Sequence, residues 1–400
     1  MKLNIFFDLI LKLILDLKYV LIVFFLLFLL SVFYFGLFYE YYYIDLTPFL
    51  KYVSDCKNLI KYKREPIIDE HPYISVCIAA KNMENYIEKN LLSILNQSFQ
   101  NFEIIVVNDG SEDQTENIIN RMQSTEKRIK LLSHKKNFGV YRSRIEAILN
   151  SKSKYTLIMD PDDMYLNENL FLKLYNHNLK YNLDIIEFSV MHQIDSNNNI
   201  FIPKLHIANH YHNFGKNIIF QPELSNILYY LPGTKQYSRT ICRNIWNKMI
   251  RNQLLIQSSK YIGKDFYNKY IITTDDMMLN IIVYQFAHNF SNINFFGYLY
   301  VRRNVSMSRG GGKDLITTRA KNYVFYFVFF CKYIHDSNKD INYLFYEMKN
   351  LEKNLLIIKE YKMDIFKDII LNLISKIQRE NPLSDEFGKY LLNFSIIFQN

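Results

Sequence analysis

The sequence predicts an α/β protein with a central, mostly parallel sheet and crossover helices, a Rossmann-like architecture. Two observations predict it. From residue 73 onward, short apolar runs of strand length alternate with segments of helical periodicity. Two of those runs end in carboxylates, and the carboxyl edge of a parallel sheet is where such folds hold ligands.

The elements follow in order. YISVCIAA at 73–80 is a β-rich run with no polar alternation, as expected of a strand covered on both faces. Residues 85–99 place Ile87, Leu91, Ile94 and Leu95 at helical spacing. FEIIVVND at 102–109 reads as a second buried strand, and 113–123 as a helix. RIKLLSH (128–134) is a strand, 142–150 a helix, KYTLIMD (154–160) a strand, 167–181 a helix and LDIIEFSV (183–190) a strand. Residues 191–240 are polar and irregular, and their histidines (His192, His206, His210, His212) read as loop residues. From about Leu315 the chain reads as helical. Its apolar stretch 323–331 is too short to span a membrane, so it is expected to be a buried helix or one lying against the membrane.

Composition removes several classes. Hydrophobic content of 49% is too high for a disordered chain, and 11 Gly with 8 Pro exclude collagen-like and linker-like sequences. The four cysteines form no CxxC pair, so neither a zinc cluster nor a disulfide framework is indicated, and Cys77 reads as a buried thiol. The net charge of +9 is spread thinly and no nucleic-acid motif accompanies it, so nucleic acid is not expected as a partner. A basic surface facing anionic ligands or a membrane is the expected meaning.

Tyr19–Tyr39 carries no charge and is long enough to cross a bilayer as a helix. Before it, Asp8, Lys12 and Asp16 share one face of an amphipathic segment that reads as interfacial. Lysines precede the span while Glu40 and Asp45 follow it, which favours a cytoplasmic N-terminus with the remainder across the membrane, in a Golgi or ER lumen. The basic residues from Lys51 onward blunt that bias, so the cytosolic face stays open.

On this scaffold Asp109 ends one strand, and Asp160, Asp162 and Asp163 end another. Carboxylates gathered at one sheet edge repel unless a cation or hydrogen-bond donors compensate. A hard divalent metal held by one or two carboxylates and substrate phosphates would do so. Neither GxGxxG nor GxxxxGK[ST] occurs, so no phosphate loop is available. Taken singly, Asp109-Gly110 is also turn chemistry, and the DPDD stretch a helix cap.

Taken together, IAAKN (78–82), VVNDGSEDQT (106–115), NFG (137–139) and MDPDD (159–163) resemble family 2 glycosyltransferases. NIWNKMIRNQLL (244–255), TTDDMML (273–279) and YLYVRRNVSMSR (298–309) continue the resemblance in order, over roughly residues 73–310. It implies a GT-A-type fold, a UDP- or GDP-sugar donor, a divalent cation (Mn²⁺ or Mg²⁺) and inversion at the sugar carbon. The organisation then reads as an interfacial segment (1–18), a transmembrane helix (19–39), a stem (40–72), a catalytic domain (73–314) and a C-terminal helical region (315–400).

The resemblance also implies roles. Ala80, Asn82 and Glu84 border the nucleotide pocket, Asp109 accepts a hydrogen bond from the base, and Arg144 lies near the nucleotide. Asp160 stands near the ribose, Asp162 on the metal with Asp160 beside it, and Asp163 orients that group or the sugar. Asp276 is the expected base that deprotonates the acceptor hydroxyl, with Asp275 where the family more often has Glu. Arg302 and Arg303 would reach the diphosphate. Trp246 either lines the acceptor pocket or packs in the core. Lys81, Ala79 and Ile145 depart from the family pattern, which bears on base contact. The acceptor is a glycan, a protein or a lipid; polyprenyl phosphate at the cytosolic face is one alternative, and a catalytically silent nucleotide-sugar binder another. Oligomeric state is not legible.

Overall fold

The computed structural model describes residues 66–193, 201–204, 218–220, 244–301 and 313–337. The expected interfacial and transmembrane segments, most of the stem, Arg302 and Arg303 lie outside the described residues. Among those described, no helix is long and apolar enough to cross a membrane.

Seven consecutive buried residues form β1 (Ile74–Ala80), and seven more form β2 (Phe102–Asn108). The two pair in parallel, from Ile74 opposite Phe102 to Ala80 opposite Asn108. Their lack of polar alternation has a direct cause. Val76, Ile78, Ile104 and Val106 enter one core, while Cys77, Ile105 and Val107 enter a second core on the opposite face. Each fully buried aliphatic side chain contributes about 1.5–3 kcal/mol. Burial also pushes the free Cys77 thiol up, away from reactivity.

Helix α1 (Ile87–Leu95) follows β1 and buries Ile87, Leu91 and Ile94, with Asn90 on the same face. Helix α2 (Thr115–Thr125) follows β2; the Asp113 carboxylate accepts from Thr115 N at 3.0 Å and fixes its start. Strand β3 (Ile129–Ser133) leads to α3 (Val140–Asn150), and β4 (Tyr155–Met159) to the two-residue β5 (Met164–Tyr165) and α4 (Leu170–Tyr181). Strand β6 (Ile185–Gln193) runs three residues past the expected end. The 191–240 stretch is not wholly irregular either. β7 (Phe201–Lys204) pairs with β6, so His192 stands in a strand rather than a loop. His206, His210 and His212 lie outside the described residues.

β8 (Ile219–Phe220), β9 (Lys248–Arg251), α5 (Asn252–Ile262), α6 (Lys264–Tyr267), α7 (Asp275–Phe286), β10 (Asn289–Val301) and α8 (Lys313–Ser337) complete the order. The sheet runs β3-β2-β1-β4-β9-β6-β10-β5, with β7 on β6 and β8 on β10. β1 to β4 pair in parallel, as do β6 and β10, and β9 is antiparallel to both β4 and β6. β1, β2, β4, β6 and β10 therefore end at one edge. The sheet is mixed, as expected; among the described residues four of its strand pairings are parallel and five, most of them short, are antiparallel. The apolar stretch 323–331 lies within α8, whose Tyr326, Phe329, Phe330 and Tyr333 join the core beside α7.

Candidate active site

The site is built where β1, β2, β4 and β10 end. After β2 the chain turns at Gly110, whose φ is +67°. A Cβ there would lie 2.6 Å from the Lys136 carbonyl carbon, so only glycine lets the 136–139 turn approach this closely. Asp109 fixes that turn. Its Oδ1 accepts from Phe138 N at 2.8 Å, and its Oδ2 from Gly139 N at 2.9 Å. His134 Nδ1 stands 2.9 Å from the same Oδ1, and His134 Nε2 2.5 Å from Glu146 Oε2. Burial disfavours the imidazolium, but the hydrogen bonds and charges of Asp109 and Glu146 outweigh it and raise the His134 pKa. Asp109, the expected base contact, thus has both oxygens engaged by protein groups.

The 81–86 loop is laced to the 110–115 loop. Asn82 has φ +52°; its N–H donates to Ser111 Oγ at 3.0 Å and its Oδ1 accepts from Glu112 N at 2.9 Å. Glu84 N donates to Asp113 at 3.0 Å, and Glu84 Oε2 accepts from Gln114 N at 3.0 Å. Lys81 Nζ donates to Gly110 O at 3.0 Å. Ala80 is buried and its carbonyl accepts from Asp109 N at 2.8 Å. Ala80, Asn82 and Glu84 therefore hold the 81–86 loop to the end of β2 and the 110–115 loop, with the Asn82 and Glu84 side chains engaged in the lacing.

The centre is Arg144, on the buried face of α3. Its Nη2 donates to Asp160 Oδ1 at the end of β4, and its Nη1 to Asp275 Oδ2 at the start of α7. Burial opposes its charge, but Asp275, Asp160 and Asp276 hold the guanidinium protonated. Asp276 is the next residue on α7; its Oδ1 accepts from Met277 N at 2.9 Å. Enclosure by protein, then the Asp275 charge, push its pKa up to about 7, with Arg144 pulling the other way. Asp275, and with it the adjacent Asp276, is brought to Asp160. The agent is Arg144, which was expected at the nucleotide.

The DPDD turn is held from two sides. Asn90 Nδ2 donates to Asp160 O at 2.9 Å and to Asp163 O at 2.8 Å. Asp163 is buried; its Oδ2 accepts from Tyr298 Oη at 2.8 Å and its Oδ1 from Val301 N at 2.7 Å, tying the turn to β10. Burial and then the Asp162 and Asp160 charges raise its pKa well above the carboxylate range. Trp246 stacks on Tyr298 at 4.9 Å between centroids and on Tyr300 at 5.5 Å, which backs the tyrosine that holds Asp163. It is 5% exposed, so of the two expected placements the structure has the core one.

Among the described residues no three His, Cys, Asp or Glu side chains converge as a protein-only metal cage. Asp163 has both oxygens tied to protein donors. Of the other carboxylates in the turn, Asp162 is half-buried and Asp160 accepts from Arg144. One or two carboxylates plus substrate phosphates suit a hard divalent cation, so the residues fit Mn²⁺ or Mg²⁺.

Sequence reasoning missed Asn90, His134, Glu146 and Tyr298. Asn90 was detectable as a polar residue, with Ser93, on the buried face of α1. The others carry no local signal, because their partners are brought close only by the fold.

Comparison with known proteins fits this geometry. Residues 75–246 match the model of the family described as Glycosyl transferase family 2. A Haemophilus influenzae protein described as an uncharacterized glycosyltransferase is 41% identical over 93 residues, 23% of this chain and 29% of that protein. Glycosyltransferase GlyA of Streptococcus pneumoniae is 27% identical over 236 residues, 59% of this chain and 31% of that protein. The chain thus spans less than a third of either curated relative. Among solved structures, S. aureus TarS 1-349 in complex with UDP superposes with a TM-score of 0.52 at 17% identity, over 76% of this chain and 80% of that one. The fold is GT-A-like, and the family match supports the resemblance read in the sequence.

Proposed function

We propose that this chain is a glycosyltransferase that moves a sugar from a nucleoside-diphosphate donor, a UDP- or GDP-sugar, to an acceptor hydroxyl with inversion. The observation that carries the reading is Arg144, which gathers Asp160 and Asp275, with Asp276 alongside, at the carboxyl edge of a GT-A-like sheet. Asp275 is held on the guanidinium, so the base role falls to Asp276. A carboxyl poised near 7 is ionised often enough at neutral pH, and basic enough when ionised, to take the acceptor proton. The acceptor oxygen then attacks the anomeric carbon from the face opposite the diphosphate. The bond to the diphosphate oxygen breaks and the nucleoside diphosphate leaves with the electron pair. Asp162, with Asp160 beside it, would hold a divalent cation whose chemistry, when bound, is to offset charge on the leaving diphosphate. Membrane anchoring through 19–39 is part of the proposal and rests on that charge-free run.

The test is nucleoside-diphosphate release from a panel of UDP- and GDP-sugars by the full chain in detergent, with Mn²⁺, Mg²⁺ or EDTA. Turnover of one donor is expected, abolished by EDTA and by Asp162→Ala, and lowered at least about 100-fold by Asp276→Asn. Donor binding with no turnover, even with glycan and polyprenyl-phosphate acceptors, would make the chain a silent binder.

A further inference from the structure

The acid pair is approached through a short segment, 270–274, that belongs to no helix or strand. Backbone groups there need partners, and one residue outside the family match supplies them. Asn322, in the first half of α8, is fully buried. Its Oδ1 accepts from Ile272 N at 2.8 Å and from Thr273 N at 3.3 Å. Its Nδ2 donates to Tyr270 O at 2.9 Å, and its backbone carbonyl accepts from Thr274 Oγ1 at 3.3 Å. On the other side, Tyr141 N donates to Ile271 O at 3.2 Å, and Gly139 lies against the same peptide.

Two features set this contact apart from ordinary packing. Asn322, Tyr326, Phe329, Phe330 and Tyr333 form one buried stripe, and an amide heads a row that is otherwise aromatic. A stripe needed only for docking would be served by an apolar residue there. Thr274, next to the acid pair, has φ +70°, a conformation that a β-branched residue adopts only when its surroundings enforce it. That turn is what aims Asp275 at Arg144 and sets Asp276 beside it.

We propose that Asn322 is a positioning residue: through its hydrogen bonds to 270–274, the C-terminal helix α8 sets the angle at which Asp275 and Asp276 enter the site. The inference rests on the glycosyltransferase reading for its kinetic consequence and on geometry alone for its structural one. Loss of the amide frees the Ile272 and Thr273 N–H groups and the Tyr270 carbonyl, while Ile271 stays held by Tyr141 and Thr274 by the backbone carbonyl of residue 322. The acid pair should therefore drift while the donor side keeps its shape. Misplacement of a catalytic group by about an ångström costs on the order of 100-fold in rate.

The experiment compares Asn322→Leu with Tyr333→Phe in the full chain. Tyr333→Phe removes the 3.0 Å bond from α8 to Gln285 on α7 and leaves the 270–274 segment untouched. Three quantities are read: kcat per bound donor, donor affinity and stoichiometry by titration calorimetry, and hydrogen exchange of peptides covering 270–277. For Asn322→Leu, kcat should fall about 10- to 100-fold while one donor per chain binds within about twofold of the wild-type Kd. Exchange over 270–277 should quicken at least about tenfold, but stay at the wild-type rate in Tyr333→Phe. Equal exchange and equal kcat per bound donor in the two variants would make Asn322 a packing residue and overturn the proposal. A weakened Kd with kcat retained would overturn it as well. Asn322→Asp keeps the two acceptor bonds and loses the donor to Tyr270, so it should lie between; if the leucine variant does not fold, this one decides by the same criteria. Should the wild type turn over no donor, the functional reading fails while the exchange result still decides whether Asn322 holds the segment.

Discussion

Arg144 shows what a single side chain decides in this protein. Three carboxylates at one edge would push each other toward neutrality, and a planar guanidinium donating to two of them at once offsets part of that cost. Leucine in its place leaves Asp160 and Asp275 without their cation, and breaking a buried pair from one side costs about 3–5 kcal/mol. Arg144→Leu should lower the unfolding free energy measured by urea titration by about 3–5 kcal/mol and abolish turnover. Arg144→Lys should recover part of the stability and little of the rate, because an ammonium cannot bridge both carboxylates with the same geometry. Equal activity of the lysine variant would show that charge alone matters. In the sequence Arg144 looked like a nucleotide contact. Its bond to Asp275 spans 131 positions, and no local pattern encodes a contact of that range.

At the scale of elements, the ends of strands β2 and β3 and helix α3 are joined by an acid–imidazole–acid bridge of Asp109, His134 and Glu146. Its neighbours also carry charge or titrate: Arg142 bonds Glu146 at 3.1 Å and lies over Phe138, Tyr267 Oη donates to Glu146 at 2.6 Å, Lys136 also lies over Phe138, and Tyr270 faces Asp109. The His134 pKa is raised in the fold, so its stabilising contribution is complete below the ordinary value of 6.5 and is lost as pH rises through the higher folded value. Stability curves of wild type and His134→Gln, taken from about pH 5 to about pH 8, should diverge most at the acid end and converge at the alkaline end. Parallel curves would mean that the bridge does not titrate as described. Element by element, the sequence was most legible where strands are covered on both faces. β1, β2 and β4 were each expected within a residue or two, because continuous apolar runs leave little choice. Helix α3 begins two residues earlier than its periodicity indicated, since Gly139 at φ +96° lets the helix start directly from the NFG turn. β7 and β8 escaped notice because they are short and lie in a polar stretch, paired only by tertiary contact.

The whole molecule depends on one late strand. β9 joins the first sheet half to the second: Thr156 on β4 and Ile185 on β6 both pair with Ile250. Lys248, fully buried, reaches Glu187 at 3.2 Å from the same strand. The family match ends at residue 246, just before it. A fragment cut there, 66–246, should show no cooperative unfolding transition, whereas 66–337 should show one; a sharp melt of the shorter fragment would refute this. The three acid motifs at Asp109, Asp160–Asp163 and Asp275–Asp276 were legible in the sequence, but the wedge that holds the two sheet halves in register was not, since four residues of strand carry little pattern of their own. On the ribosome this arrangement becomes a matter of time. About sixty residues separate the end of β6 from the end of β9, and at roughly 5–20 residues per second they take several seconds to emerge. During that interval β4 and β6 each present an unpaired edge, the form in which strands recruit strangers. The yield of folded protein is therefore tied to the pace of translation across 194–251 and to whatever shields those edges meanwhile.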